Sequence, residues 1–193
     1  MTENQQQEGF EMPAITRRPE HPELGRERRQ PNHDIAPDLL GYEWLEVSST
    51  EEDGYPYDIT ATVEPQDSRY VVTKMVVSQR PGGIPLRRGE LAKISVDPFV
   101  YTAAHETARV TGPDTMQPVA SWFDHDTDER IRAGRITDED LPRIAAFYRW
   151  VRLQNGKPTT VIAEEFGVSR ATAKRWAAKA VEAGYLTQDE RKS

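Results

Sequence analysis

The sequence predicts an α+β fold: a small antiparallel β-meander with a helix, followed by a C-terminal trihelical helix-turn-helix domain, behind a disordered N-terminal tail. Three observations carry this reading. Tyr57, Ile59, Ala61 and Val63 alternate with polar or small residues, the two-residue period of a half-buried strand. Residues 69–78 hold Tyr70, Val71, Val72, Met75, Val76 and Val77, side chains that suit a pleated surface. In the last third, apolar residues recur at three- and four-residue steps, punctuated by Gly156, Gly167 and Gly184.

Residues 1–40 are rich in Gln, Glu, Arg and Pro, with Phe10 their one aromatic. So little apolar area cannot offset chain entropy, and a disordered tail is expected. Arg26, Arg28 and Arg29 lie among Glu23 and Glu27 and read as a solvated segment. A small α+β domain is expected over 41–111. Tyr42, Trp44, Leu45 and Val47 mark its first strand, the alternating run its second and residues 69–78 its third, with Pro65-Gln66-Asp67-Ser68 as a turn. Arg80-Pro81-Gly82-Gly83 breaks the third strand, and Leu86 to Ile94 is expected to be short helix or irregular. Asp97 can cap a helix running from Pro98 to about Arg109, because proline needs no N–H in a first turn. That helix would cover the sheet, and Gly112-Pro113 would end the unit.

Residues 112–136 read as an acidic connector, in which Pro118 and Asp124, Asp126, Asp128 and Glu129 argue against a regular element and Trp122 and Phe123 dock onto a neighbour. The helix-turn-helix domain is expected over 137–187, with 188–193 a tail. Its first helix begins near Asp140, capped by Asp138 or Asp140, and shows one apolar face of Leu141, Ile144, Phe147, Tyr148 and Val151. Asn155-Gly156 ends it and Pro158 prevents continuation. Thr159 or Thr160 caps the second helix. Gly167 supplies the left-handed turn, Val168 plugs the corner, and Ser169 caps a third helix from Arg170 to about Ala183. Ile162, Ala163, Phe166, Gly167, Val168, Ala173 and Trp176 fill the seven positions that a helix-turn-helix corner requires, with a small Ala173 beside a large Trp176.

With that inner face fixed, Ser169, Arg170, Ala171, Lys174, Arg175 and Ala178 point outward. Such a surface suits double-stranded DNA. Arg170 can bond guanine O6 and N7 in the major groove, and Ala171 permits close approach or a thymine methyl contact. Thr172 and Lys174 suit phosphates, Thr159 and Thr160 can hold another at a helix N-terminus, and Lys157 and Lys179 add general attraction.

The stretch AEEFGVSRATAKRWAAKAVEAGYL resembles the helix-turn-helix of small, largely uncharacterised DNA-binding proteins of actinobacteria and their phages. The matching residues are Asp138-Glu139-Asp140-Leu141, Ala145, Tyr148, Pro158-Thr159, Gly167-Val168-Ser169-Arg170, Thr172-Ala173 and Gly184-Tyr185-Leu186. The RRGELAKI segment is similar to the β-rich front half of the same group. The C-terminal part is also similar to the DNA-binding tail of serine recombinases, whose catalytic serine domain has no counterpart upstream. The resemblance implies DNA binding and no enzyme activity.

Charge is distributed accordingly. The chain carries −7 overall, but residues 130–193 hold 13 Lys/Arg against 8 Asp/Glu while residues 1–129 hold 12 against 24, the asymmetry expected when one part meets a polyanion. The absence of cysteine removes disulfides, thiolate nucleophiles and Cys-based zinc sites, and fits a reducing cytoplasm. No apolar run approaches the roughly 20 residues of a membrane span, and MTENQQQEGFEMP is too polar for a signal peptide. A soluble, cytoplasmic protein is expected. Asp124-x-Asp126-x-Asp128 lacks the glycine and glutamate of a calcium loop, with Glu129 and Arg135 in those places. His105-Glu106 lacks the second histidine of a zinc helix, His125 has no second histidine near it, and Gly82-Gly83 has no strand–helix context. No metal, no cofactor and no nucleophile–base pair is expected, and hence no enzyme. The leading expectation is a sequence-specific transcriptional regulator, with a possible homodimer through 41–111. The rivals are a DNA-binding subunit of a replication, packaging or recombination machine, and a protein-interaction adaptor using the acidic front half.

Overall fold

The computed structural model describes residues 13–17, 31–49, 53–111, 116–119 and 125–192. Along the chain run β1 (Ala14–Arg17), β2 (His33–Ala36), β3 (Leu39–Gly41), β4 (Leu45–Ser48), β5 (Tyr57–Gln66) and β6 (Arg69–Gln79). Then come α1 (Arg88–Leu91), α2 (Asp97–Thr107), β7 (Arg109–Thr111), β8 (Met116–Pro118) and α3 (His125–Arg132). A single 3₁₀ turn (Asp138–Asp140) leads into α4 (Leu141–Leu153), α5 (Pro158–Glu165), α6 (Arg170–Glu182) and α7 (Gln188–Lys192). The fold is α+β, with two antiparallel sheets and several helices.

The expected meander is β4-β5-β6, with Leu45 opposite Val63 and Ile59 opposite Val77. Its alternation is realised: Leu45, Val47, Tyr57, Ile59, Ala61 and Val63 are all buried. The β5–β6 hairpin closes through Asp67 and Ser68 alone, at φ 50° and 59°. Two successive left-handed residues give the turn whose twist matches that of the strands. Helix α2 covers the apolar face with Phe99, Val100, Ala103 and Ala104. It starts one residue earlier than expected. Val96 is the N-cap and makes no side-chain bond, while Asp97 sits inside the helix with its amide donated to Ser95 Oγ (3.2 Å).

Several expectations are corrected. The stretch expected to be a disordered tail, residues 1–40, supplies two strands and most of a third, β3. β1 joins the first sheet beside β4, giving the order β1-β4-β5-β6, and β2 opens a second sheet ordered β2-β3-β7-β8. These short strands add edges to sheets whose apolar residues lie elsewhere in the chain, which is why composition hides them. The connector is not irregular either: β8 pairs with β7, and the acidic stretch is helical over His125–Arg132. The residues expected to end the front unit, Gly112-Pro113, and the expected docking pair Trp122 and Phe123 lie outside the described residues. The expected C-terminal tail holds α7.

Helix α4 is buried around its whole circumference from Ile144 to Leu153, where one apolar face was expected. The reason is its position. One side meets the front half, where Trp150 Nε1 donates to Ala104 O of α2 (3.4 Å) and Arg149 donates to Pro37 O in the β2–β3 turn (3.2 Å). The other side meets α5 and α6, where the Phe147 and Phe166 rings lie 5.7 Å apart, edge to face. The buried apolar residues of both halves therefore form one contiguous core. The start of α4 is fixed by Asp140, which accepts from Thr137 N (2.6 Å) and from both terminal nitrogens of Arg130 (2.5 and 2.6 Å). Burial alone would raise the Asp140 carboxyl, but these donors outweigh it and hold it below the usual carboxylate range. Asp140 is thus the N-cap residue of α4, one of the two expected, while its carboxylate closes a capping box with Thr137, which caps the 3₁₀ turn.

Candidate nucleic-acid interface

Three helices build the candidate surface. Helix α4 ends at a left-handed Asn155 (φ 58°), and the Gly156 amide turns back to Val151 O (2.9 Å). Glycine is required there because an added Cβ would lie 2.7 Å from Val151 Cγ1 and 2.9 Å from Val151 O. Pro158 then opens α5. Its N-cap is Lys157, and Thr159 and Thr160 sit half-buried within the first turn, so neither threonine caps the helix as expected. Proline already fixes φ in that turn and donates no N–H, so a hydroxyl cap is less needed.

The corner between α5 and α6 follows the predicted residues. Gly167 stands at φ 62°, a backbone conformation that costs a side chain about 1–2 kcal/mol. Ser169 Oγ accepts from Thr172 N (3.1 Å), closing the start of α6. Ile162, Ala163, Phe166, Ala173 and Trp176 are buried, and Val168 is half-buried. Phe166 and Trp176 lie ring to ring at 6.2 Å. Gly184 stands at φ 81°, and the chain folds back to bury Leu186, whose amide meets Ala180 O (3.1 Å).

The opposite side of α6 faces solvent. Ser169, Arg170, Ala171, Lys174, Arg175 and Lys179 are exposed, and Thr172 is half-buried. The structure thus brings Thr159, Thr160, Ser169, Arg170, Ala171, Thr172, Lys174, Arg175 and Lys179 to the surface of α5 and α6. Ala178, expected on the outer face, is half-buried. The Thr172 hydroxyl is engaged locally, 3.0 Å from Ser169 Oγ and accepting from Arg175 (3.1 Å).

This face is unfavourable for the free protein. Arg170 is the first residue of α6, where the helix dipole disfavours a cation. Arg170 with Lys174, and Arg175 with Lys179, are like-charge pairs four residues apart, each costing about 0.2–0.5 kcal/mol. No acid stands in the first turn to relieve them. A helix selected for stability alone gains nothing from such a pattern, whereas a polyanionic partner would remove the repulsion.

Beside this face, a cleft of about 530 Å³ opens between the α4 end, the α5 start, α6 and α7, lined by Tyr148, Lys157, Thr159, Thr160, Lys174 and Arg191 among others. Tyr148 and Arg191 were not among the expected surface residues. Tyr148 reads as apolar core by its spacing, and Arg191 lies in the expected tail. The signal for α7 was present: Thr187 and Glu190 have the three-residue spacing of a capping box. Both bonds form, Thr187 N to Glu190 Oε2 (2.7 Å) and Glu190 N to Thr187 Oγ1 (3.1 Å). Glu190 also accepts from Arg149 Nε (2.6 Å), while Arg149 Nη2 donates to Tyr185 O (2.7 Å). Burial would raise the Glu190 carboxyl, but Arg149 and Thr187 together lower it, so it is a charged anchor. Among the described residues, no group of three or more His, Asp or Glu is placed to hold a metal ion. No helix there is long and apolar enough to cross a membrane. No protein-family model, curated protein or solved structure matches this chain.

Proposed function

We propose that this protein binds double-stranded DNA in a sequence-dependent manner through a helix-turn-helix made of α5 and α6, and that it acts as a transcriptional regulator. One observation carries the reading: α6 is divided lengthwise. Ala173, Trp176, Ala177 and Ala180 are buried, while Arg170, Ala171, Lys174, Arg175 and Lys179 are exposed. Its 13 residues make a rod about 20 Å long at about 1.5 Å per residue, enough to lie in a major groove about 12 Å wide. Arg170 and Ala171, at the leading end, are placed to read base edges. Lys174, Arg175 and Lys179 are placed for phosphates, and Thr159 and Thr160 for the strand beside α5.

One such helix reads few base pairs, so two copies on two half-sites are part of the proposal. The front half carries exposed Val76, Ile84, Leu86, Leu91 and Val96, where a second copy can dock. Selection of duplexes from a random pool tests the function. A preferred sequence is expected, and Arg170→Ala is expected to lose about 1–3 kcal/mol on it while keeping its affinity for unrelated duplexes. A pool returned without any preferred sequence would refute sequence-specific recognition.

A further inference from the structure

We infer that the cleft beside α6 is a binding site for a small phosphorylated molecule. Three cationic side chains converge on it from three elements: Lys157 before α5, Lys174 on α6 and Arg191 on α7. Thr159, Thr160 and Tyr148 add hydroxyls, and among the described residues no carboxylate lines the cleft. Glu190, the chain neighbour of Arg191, has its carboxylate engaged by Arg149 and Thr187. Tyr148 is 3 % exposed, and its hydroxyl reaches Glu190 O at 3.4 Å, long for an O–H donor and therefore readily redirected to a ligand. Behind that hydroxyl, Arg152 lies within electrostatic reach together with Arg191 and Glu190, two positive charges against one negative.

Size and rigidity separate this cleft from a surface cation cluster. Its roughly 530 Å³ falls in the range of about 300–1,000 Å³ typical of small-molecule sites. Its α7 wall is anchored by the buried Arg149, and Arg152 Nη1 donates to Glu190 O (2.9 Å). The aromatic edge of Tyr148, with Pro158 and Ala177, offers apolar surface for an organic body, while the cations take the phosphate. Thr159, Thr160 and Lys174 belong to both this cleft and the proposed DNA surface. The ligand would therefore compete with a duplex phosphate, and this regulatory consequence rests on the DNA-binding reading.

Calorimetric titration of the full chain with pyrophosphate and with adenosine monophosphate, at matched chloride, tests the site. Saturable one-to-one binding of at least one probe is expected, weakened tenfold or more by Arg191→Gln and unaffected by Lys74→Gln, an exposed β6 residue outside the cleft lining. Heat from neither probe, heat that Arg191→Gln leaves intact, or heat that depends only on ionic strength would overturn the site. Duplex binding is measured separately, with and without saturating probe. Competition supports the regulatory consequence, and duplex affinity indifferent to bound probe removes it. A probe that binds while no duplex does leaves the site standing and refutes the DNA-binding reading. Duplex binding weakened by Arg191→Gln, with neither probe bound, means that the cleft holds a backbone phosphate, and the small-molecule site is refuted.

Discussion

The salt dependence of duplex affinity follows from the charges the structure exposes. Lys157, Lys174, Arg175 and Lys179 are all exposed on or beside the proposed face, and Arg170 is assigned to bases in the proposed function. Four phosphate contacts release counterions with a log–log slope of about −0.9 each, or about −3.6 per protein chain. Raising salt from about 50 to about 200 mM should then weaken binding roughly 150-fold. The perturbation is Lys174→Gln, which removes one contact and should flatten the slope to about −2.7, leaving a roughly 40-fold loss over the same range. Lys74→Gln, an equal change of charge on β6, should leave the slope alone. Fluorescence anisotropy with a labelled duplex at four salt concentrations measures all three proteins. A parental slope near zero would refute the electrostatic footprint. An equal flattening by Lys74→Gln would show that net charge, and not this face, sets the affinity.

Two further predictions concern the scaffold. Arg149 is nearly buried and bonded to Glu190, Tyr185 O and Pro37 O, so Arg149→Leu should destabilise the protein by about 3–5 kcal/mol in urea denaturation, by leaving the Glu190 carboxylate without its cation. Adding Glu190→Gln should recover part of that loss, and strict additivity of the two changes would show that they are not coupled. Two glycines should respond differently to alanine. At Gly167 the space beyond the backbone is open, so only left-handed strain of about 1–2 kcal/mol is expected. At Gly156 the new Cβ would press on Val151 backbone, so the loss in thermal unfolding should be the larger of the two.

What the sequence made legible, and what it did not, divides along a physical line. Local chemistry was readable: the alternation of β5, the left-handed Gly167 and Gly184, the Ser169 cap and the buried Trp176 depend on neighbours within a few residues. The outward set on α6 followed by geometry from its inward set. Long-range pairing was not readable. β1 is too short and too polar to declare itself until β4 stands beside it. The full burial of α4 depends on two layers meeting it from opposite sides, which leaves Arg149 and Arg152 inside, where periodicity counts them as solvent-facing. The cleft was hidden for the same reason. Tyr148, Lys157, Lys174 and Arg191 lie far apart in sequence and converge only because Glu190 docks α7 on Arg149.

Hydrogen exchange of the full chain, with and without a selected duplex, addresses the main claim most directly. Binding should slow exchange at amides from Thr159 to Lys179, strongest at the starts of α5 and α6, and leave β4, β5 and β6 unchanged. Protection confined to the sheets, with α6 exchanging as in the free protein, would contradict the assignment of this face to DNA.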